Sequence, residues 1–165
     1  MNYDNYNYEN ARYAELSQNY SSGANWFYWI AGLSIVTSLI TFFGGGLQFL
    51  FGLGITMIID GMASAISEDM GGDAPKIVAL VLDLLVTGLF VGIGYLANRK
   101  MLGAYIVGMV AFGLDGLLSL LVGDWLSVLA HGFVIFMLVR GFMAGRELTA
   151  LEKSMSSQPA PAAAL

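Results

Sequence analysis

The chain alternates long apolar segments with very short polar breaks. After a polar opening at residues 1–23, apolar segments run approximately from Asn25 to Phe43, Leu47 to Ile66, Ile77 to Ala97, Met101 to Leu121 and Trp125 to Met143. Each is close to the ~20 residues that cross ~30 Å of hydrocarbon at 1.5 Å of rise per residue. A break such as Asn98-Arg99-Lys100 is too short to join anything but antiparallel neighbours. The pattern therefore predicts an all-α membrane protein, an up-and-down bundle of five transmembrane helices.

The second segment departs from the others. It opens at Gly44-Gly45-Gly46, contains Gly52, Gly54 and Gly61, and has no charge at its junction with the first segment. The alternative is four spans plus a re-entrant or interfacial second helix, which moves the N-terminus to the other side of the membrane.

Outside the bundle, taken as residues 24–145, the chain is polar or small. Residues 1–23 are rich in Asn and Tyr, including Tyr3, Tyr6, Tyr8, Tyr13 and Tyr20. They read as a flexible polar tail in which Glu9 to Gln18 could turn into a short helix, or as a Tyr-rich binding arm. No basic start leads directly into an apolar stretch, so the first apolar segment is expected to remain as an anchor rather than be cleaved. Residues 146–165 divide into a cytoplasmic helix end, Arg146 to Lys153, and a disordered Ala/Pro tail from Ser154.

Composition agrees with lipid as the main solvent. The 165 residues are 57% hydrophobic and only 12% charged, against about 25% charged in soluble domains. There is no cysteine, which excludes disulfides, thiolate metal sites and cysteine nucleophiles. The net charge of -5 leaves no basic face for nucleic acid.

The few charges orient the bundle. Arg99, Lys100, Arg140, Arg146 and Lys153 fall on one side, and only Arg12 and Lys76 fall elsewhere. The opposite loops carry Glu68, Asp69, Asp73 and Asp124. The excess of Lys and Arg places the 98–100 turn and the C-terminus in the cytoplasm. With five spans, Asp4, Glu9 and Glu15 are then outside. Trp26, Tyr28, Trp29 and Trp125 would form an outer aromatic belt, and Tyr95 and Tyr105 an inner one.

Four ionisable residues lie inside apolar segments: Asp60, Asp83, Asp115 and His131. Each acid costs about 2.5–3.5 kcal/mol at a span centre, so it needs a partner, a proton or a wet cavity. Asp60 and Asp115 lie six residues before their segments end, and Asp83 and His131 lie six after theirs begin. All four ends share one side, which predicts a polar layer about 9 Å below that surface. Thr56, Asp60 and Ser64 share a face, as do Asp83 and Thr87, and Ser127 and His131. Asp115 shares a face with Ala104, Gly108, Ala111 and Ser119. Small and hydroxylated residues let helices approach closely in lipid, so these groups are expected to point inward.

Such a layer suits three roles: a structural hydrogen-bond network, a proton or solute pathway, or a metal site for Mn, Zn or Mg. The acids and the imidazole form no ligand motif, so neither metal nor cofactor is expected. Ser127 with His131 lacks a Gly-x-Ser-x-Gly turn, and Gly44 to Gly54 lacks the Gly-Lys end of a phosphate loop; no catalytic residue is assigned and no enzyme is expected. Gly88 with Gly92, and Gly141 with Gly145, are spaced for close helix contact, either within the bundle or with a second copy or another membrane protein.

The runs Asn25-Trp26-Phe27-Tyr28-Trp29-Ile30-Ala31-Gly32-Leu33-Ser34 and Phe51-Gly52-Leu53-Gly54-Ile55-Thr56 resemble those of a group of small bacterial multi-span membrane proteins. So does the stretch from Leu114-Asp115-Gly116 through Asp124-Trp125-Leu126-Ser127 to His131. The resemblance covers residues 25–145. It implies a bacterial inner membrane and brings no activity or catalytic residues. The expected role is a non-enzymatic structural or accessory subunit. The alternative is a small transporter or proton-coupled permease using the Asp/His layer.

Overall fold

The computed structural model of the chain describes residues 3–43, 53–121 and 123–157, with side chains from residue 7 onward. They form five helices: α1 (Tyr3–Phe42), α2 (Gly54–Met70), α3 (Ala74–Asn98), α4 (Leu102–Leu121) and α5 (Trp125–Ser157). The all-α bundle is thus present. α1, α3, α4 and α5 are long and apolar enough to cross a membrane, and the protein is integral to it. α2 is shorter, at 17 residues. The Gly44-Gly46 opening lies outside the described residues, as does the expected disordered tail from residue 158 onward, whereas its start, Ser154 to Ser157, is helical and continues α5.

Local chemistry sets the ends. α2 stops at Gly71, whose φ of 70° is a left-handed conformation that only glycine adopts cheaply. Pro75 then sits in the first turn of α3, where a missing N–H costs nothing.

Side-chain pairs fix the directions. Tyr20 donates from its hydroxyl to the Ala97 carbonyl, and Phe27 lies against Gly94, so α1 and α3 are antiparallel. Arg12 meets Glu147, and Trp26 meets the Phe133 ring, so α1 and α5 are antiparallel as well. Tyr105 with Phe142, and Asp115 with His131, set α4 against α5 in the same way. α2 forms an antiparallel hairpin with α3 and therefore runs parallel to α1. Ser34 lies beside Thr56, and Thr41 and Phe42 lie beside Asp60 and Ser64.

Strict alternation therefore holds from α2 to α5 and fails between α1 and α2. The reason is depth. Gly54 begins α2 six to ten residues below the part of α2 that faces the end of α1. At 1.5 Å per residue this is on the order of 10–15 Å. α2 starts inside the bundle and climbs to the surface at Met70, which matches the four-span alternative rather than five.

Two expectations change with it. The start of α1 lies on the same side as the 98–100 turn, because Tyr13 and Lys100 both reach Glu152. Glu9 and Glu15 are therefore not on the opposite side. The flexible tail is instead the opening of α1, with Leu16 and Tyr20 buried against the bundle. The aromatic belts also change. Trp26, Tyr28 and Trp29 lie near the level of Tyr95, whereas Trp125 is at the other end, and Tyr105 is fully buried in the core beside Tyr20, Phe27 and Phe142. Arg12 joins Arg99, Lys100, Arg140, Arg146 and Lys153, leaving Lys76 alone opposite.

The core is a narrow seam through α1, α3, α4 and α5, from Tyr20 and Phe27 through Phe90 and Phe112 to Leu138 and Leu148. The outer surface is apolar: Leu85 is 63% exposed and Leu121 82%. A surface like that is stable only against lipid. Gly23 and Gly141 let α1 and α5 touch backbone to backbone, since a Cβ on Gly23 would lie 2.6 Å from the Gly141 Cα. Gly145 similarly receives the Tyr20 ring. The Gly141/Gly145 spacing is thus used within the bundle, while Gly88 and Gly92 face outward.

Candidate intramembrane polar site

All four ionisable residues point inward, and Asp60, the least buried, is 9% exposed. They do not form one layer. They form two pairs at different heights.

The lower pair is Asp115 on α4 and His131 on α5, with His131 Nε2 3.0 Å from Asp115 Oδ2. The same carboxylate receives the first amides of α2: Gly54 N–H donates to Oδ2 at 2.7 Å and Ile55 N–H to Oδ1 at 2.9 Å. A helix start leaves such N–H groups without partners and carries partial positive charge, so a buried carboxylate there meets a double need. Leu53, at the N-cap, offers no side-chain oxygen. Asp115 supplies the cap from another helix.

His131 is fixed on every side. Nδ1 lies 2.8 Å from the Ser127 carbonyl, which can only accept, so Nδ1 carries a hydrogen. The ring stacks on Phe112 with centroids 4.5 Å apart. The Nε2–Oδ2 axis then holds one proton, on the imidazole with Asp115 ionised, or on Asp115 with the imidazole neutral. The pair is net neutral in both forms, which suits low dielectric. Above it, Ser127 Oγ donates to Ser119 Oγ at 3.1 Å. With Nδ1 committed to the carbonyl, His131 is not placed to take a proton from Ser127.

The upper pair is Asp60 on α2 and Asp83 on α3. Asp60 is five to six residues along α2 from the amides that Asp115 holds, or about 8 Å higher. Asp60 and Ser38 both lie beside Asp83. Their contacts fall short of hydrogen bonds. Among the described residues, Asp60 Oδ2, both oxygens of Asp83, Ser38 Oγ and Thr87 Oγ1 are buried without a hydrogen-bond partner. Ser38, Asp83 and Thr87 line one cavity of about 70 Å³ with Ile35, Leu39, Leu80 and Leu84. On the other side of the pair, Asp60, Thr41, Ser64 and Lys76 line a smaller one of about 10 Å³.

Face-sharing in the sequence located Asp60, Asp83, Asp115, His131, Thr56, Thr87, Ser119 and Ser127. It did not show Ser38 or the Gly54 and Ile55 amides. Ser38 sits in the apolar part of α1, where no acid, base or His marks its face, and a backbone amide has no sequence signature beyond the start of a helix. Comparison with protein-family models, curated proteins and solved structures gives no match.

Proposed function

We propose that this chain is a non-enzymatic integral membrane protein, a structural or accessory subunit, whose Asp115–His131 pair holds a short inserted helix inside the bundle. The observation that carries this is the occupancy of the Asp115 carboxylate. Both of its oxygens are taken by α2 amides, and the imidazole is a third partner, so the buried carboxylate is committed to groups of the chain itself. The clustering of six of the seven basic residues at one end supports a cytoplasmic location for the N-terminus, the 98–100 turn and the C-terminus, with the acidic turn outside. The resemblance of residues 25–145 supports a bacterial inner membrane.

The test is flux. Purified protein in proteoliposomes should carry no protons or cations under an imposed gradient. Asp115→Asn should instead alter folding and the assembly of whatever complex holds the chain. The second reading, a small transporter or proton-coupled permease, is favoured by the unpartnered oxygens of Asp60 and Asp83. Gradient-driven flux that disappears in Asp83→Asn would establish it.

A further inference from the structure

We propose that a cavity between α1, α4 and α5 holds one acyl chain of an anionic phospholipid, whose phosphate is bound by Arg140. This goes beyond the structural reading, which rests on the Asp115–His131 pair and not on the cavity beside it.

The cavity lies where α1 and α5 part. The two helices touch at Gly23 and Gly141. Further along the seam they enclose a space of about 360 Å³. Trp26, Trp29 and Leu33 wall it on α1, Ala130 and Phe133 on α5, and Phe112 of α4 closes it from within. Phe112 is buried, whereas Trp29 and Phe133 are exposed. The cavity is therefore shut on the bundle side and open to lipid.

The wall selects hydrocarbon. His131 also borders the space, but its nitrogens are held by the Ser127 carbonyl and the Asp115 carboxylate. What it turns to the cavity is ring carbon. A polar group buried here would go unpaired, at a cost of roughly 1–3 kcal/mol. An apolar space left empty forfeits contacts along all its walls, and acyl chains lie at its open side. Its depth suits them. Asn25 accepts a hydrogen bond from Asn98 at the end of α3, so the membrane surface lies beside Trp26. From there the cavity descends to Leu33, seven residues or about 10 Å further in. A partner helix, ~10 Å wide, would need a groove open along the whole span, and this one is closed at Gly23 and Gly141.

Charge selects the headgroup. Arg140 follows Phe133 by seven residues, so it lies on the same face of α5, about 10 Å towards the basic end of the bundle. It is exposed, and it neighbours Gly141, which sets it at the level of the membrane surface. Arg12 and Lys100 are paired with Glu147 and Glu152, and Arg99 lies over the Tyr95 ring. Arg140 has no acidic partner among the described residues. A guanidinium presents paired donors that match phosphate oxygens, and an anionic headgroup brings no ammonium to oppose it.

The experiment uses the purified full-length protein in detergent, titrated with dioleoylphosphatidylglycerol or with dioleoylphosphatidylcholine, and followed by thermal unfolding. A ligand that binds only the folded state raises Tm with its concentration. We expect a saturable rise with the anionic lipid, and one such lipid per chain retained in native mass spectrometry. Ala130→Trp, which fills the cavity from α5, should abolish the rise. Arg140→Gln should move half-saturation up about fivefold, the scale of one basic residue's attraction to anionic lipid. Arg99→Gln, at the turn between α3 and α4, should leave it unchanged. Equal curves for the two lipids would overturn the proposal, as would a rise that survives Ala130→Trp. An equal shift in Arg99→Gln and Arg140→Gln would mark a general attraction of charge and overturn it too. So would a two-chain species in lipid-free detergent that Ala130→Trp breaks up, since a second copy would then fill the cavity. If Ala130→Trp cannot be purified, an unchanged half-saturation in Arg140→Gln would overturn it equally.

Discussion

The two acid pairs occupy one bundle, about 8 Å apart, and differ in every respect that decides what a buried carboxylate does. Asp115 has three hydrogen-bond partners: two amides that donate to it and an imidazole. Asp83 is more deeply buried, at 2% exposed, yet neither of its oxygens has a partner among the described residues. The difference follows from where α2 begins. A helix that starts within the bundle presents its free N–H groups there, and Asp115 lies where they emerge. By the next turns the backbone of α2 bonds to itself and has nothing to offer Asp60 or Asp83. Depth alone therefore does not give an intramembrane acid its role. What matters is whether it faces the end of a helix or its side.

The comparison breaks most visibly at Asp115. Asp115→Ala should leave two helix-start amides and His131 unpaired, a loss of about 3–5 kcal/mol of the kind seen when one partner of a buried pair is removed. Thermal unfolding in detergent measures it. A loss below about 1 kcal/mol would mean that α2 is held by something else. Asp83→Asn is the counterpart. It replaces a carboxyl that has no donors with a neutral group of the same shape, so stability should change by less than about 1 kcal/mol, or rise.

Between these lies the packing control. Gly23→Ala places a methyl against the Gly141 Cα. It should cost about 1–3 kcal/mol through overpacking, while leaving both acid pairs as they are. Thermal unfolding in detergent reads that loss, and a cost below about 0.5 kcal/mol would mean that the two helices can part without penalty.

The smallest effect is at the cytoplasmic end. The hydrogen bond from Lys100 holds the Glu152 carboxyl below its usual range, and Glu152 in turn raises the Lys100 ammonium above its own. Glu152 adds stability above its unfolded pKa, and this is lost as pH falls through its lower folded value. Lys100 adds stability below its unfolded pKa, lost as pH rises through its higher folded value. The pair therefore acts across the neutral range and fades at both extremes. Both side chains are about half exposed or less, at 48% and 36%, so Glu152→Gln should cost below ~1 kcal/mol near neutrality. The difference from the native protein should vanish in acid.

Much of this was legible in the chain. Matched apolar lengths gave α3, α4 and the membrane part of α5 to within a few residues, and face-sharing turned every intramembrane ionisable group inward. The direction of α2 was not fixed. Residues 47–66 are apolar enough to span, and only their glycines hinted otherwise; a hydropathy pattern carries no depth. Residues 1–23 misled for a related reason. Their polar face is real, but Leu16 and Tyr20 dock on α3 and α5, and that docking depends on partners about 80 and 125 residues away in a fold, not on local composition. The division of the polar layer was hidden for the same reason, since one half of Asp115's environment is backbone.

Hydrogen exchange at the Gly54 and Ile55 amides tests the central claim most directly, because these are the two N–H groups that Asp115 captures. We expect slow exchange in the native protein and in Asp83→Asn, and fast exchange in Asp115→Asn, whose side chain cannot accept from both. Fast exchange in the native protein, or slow exchange that survives Asp115→Asn, would contradict it.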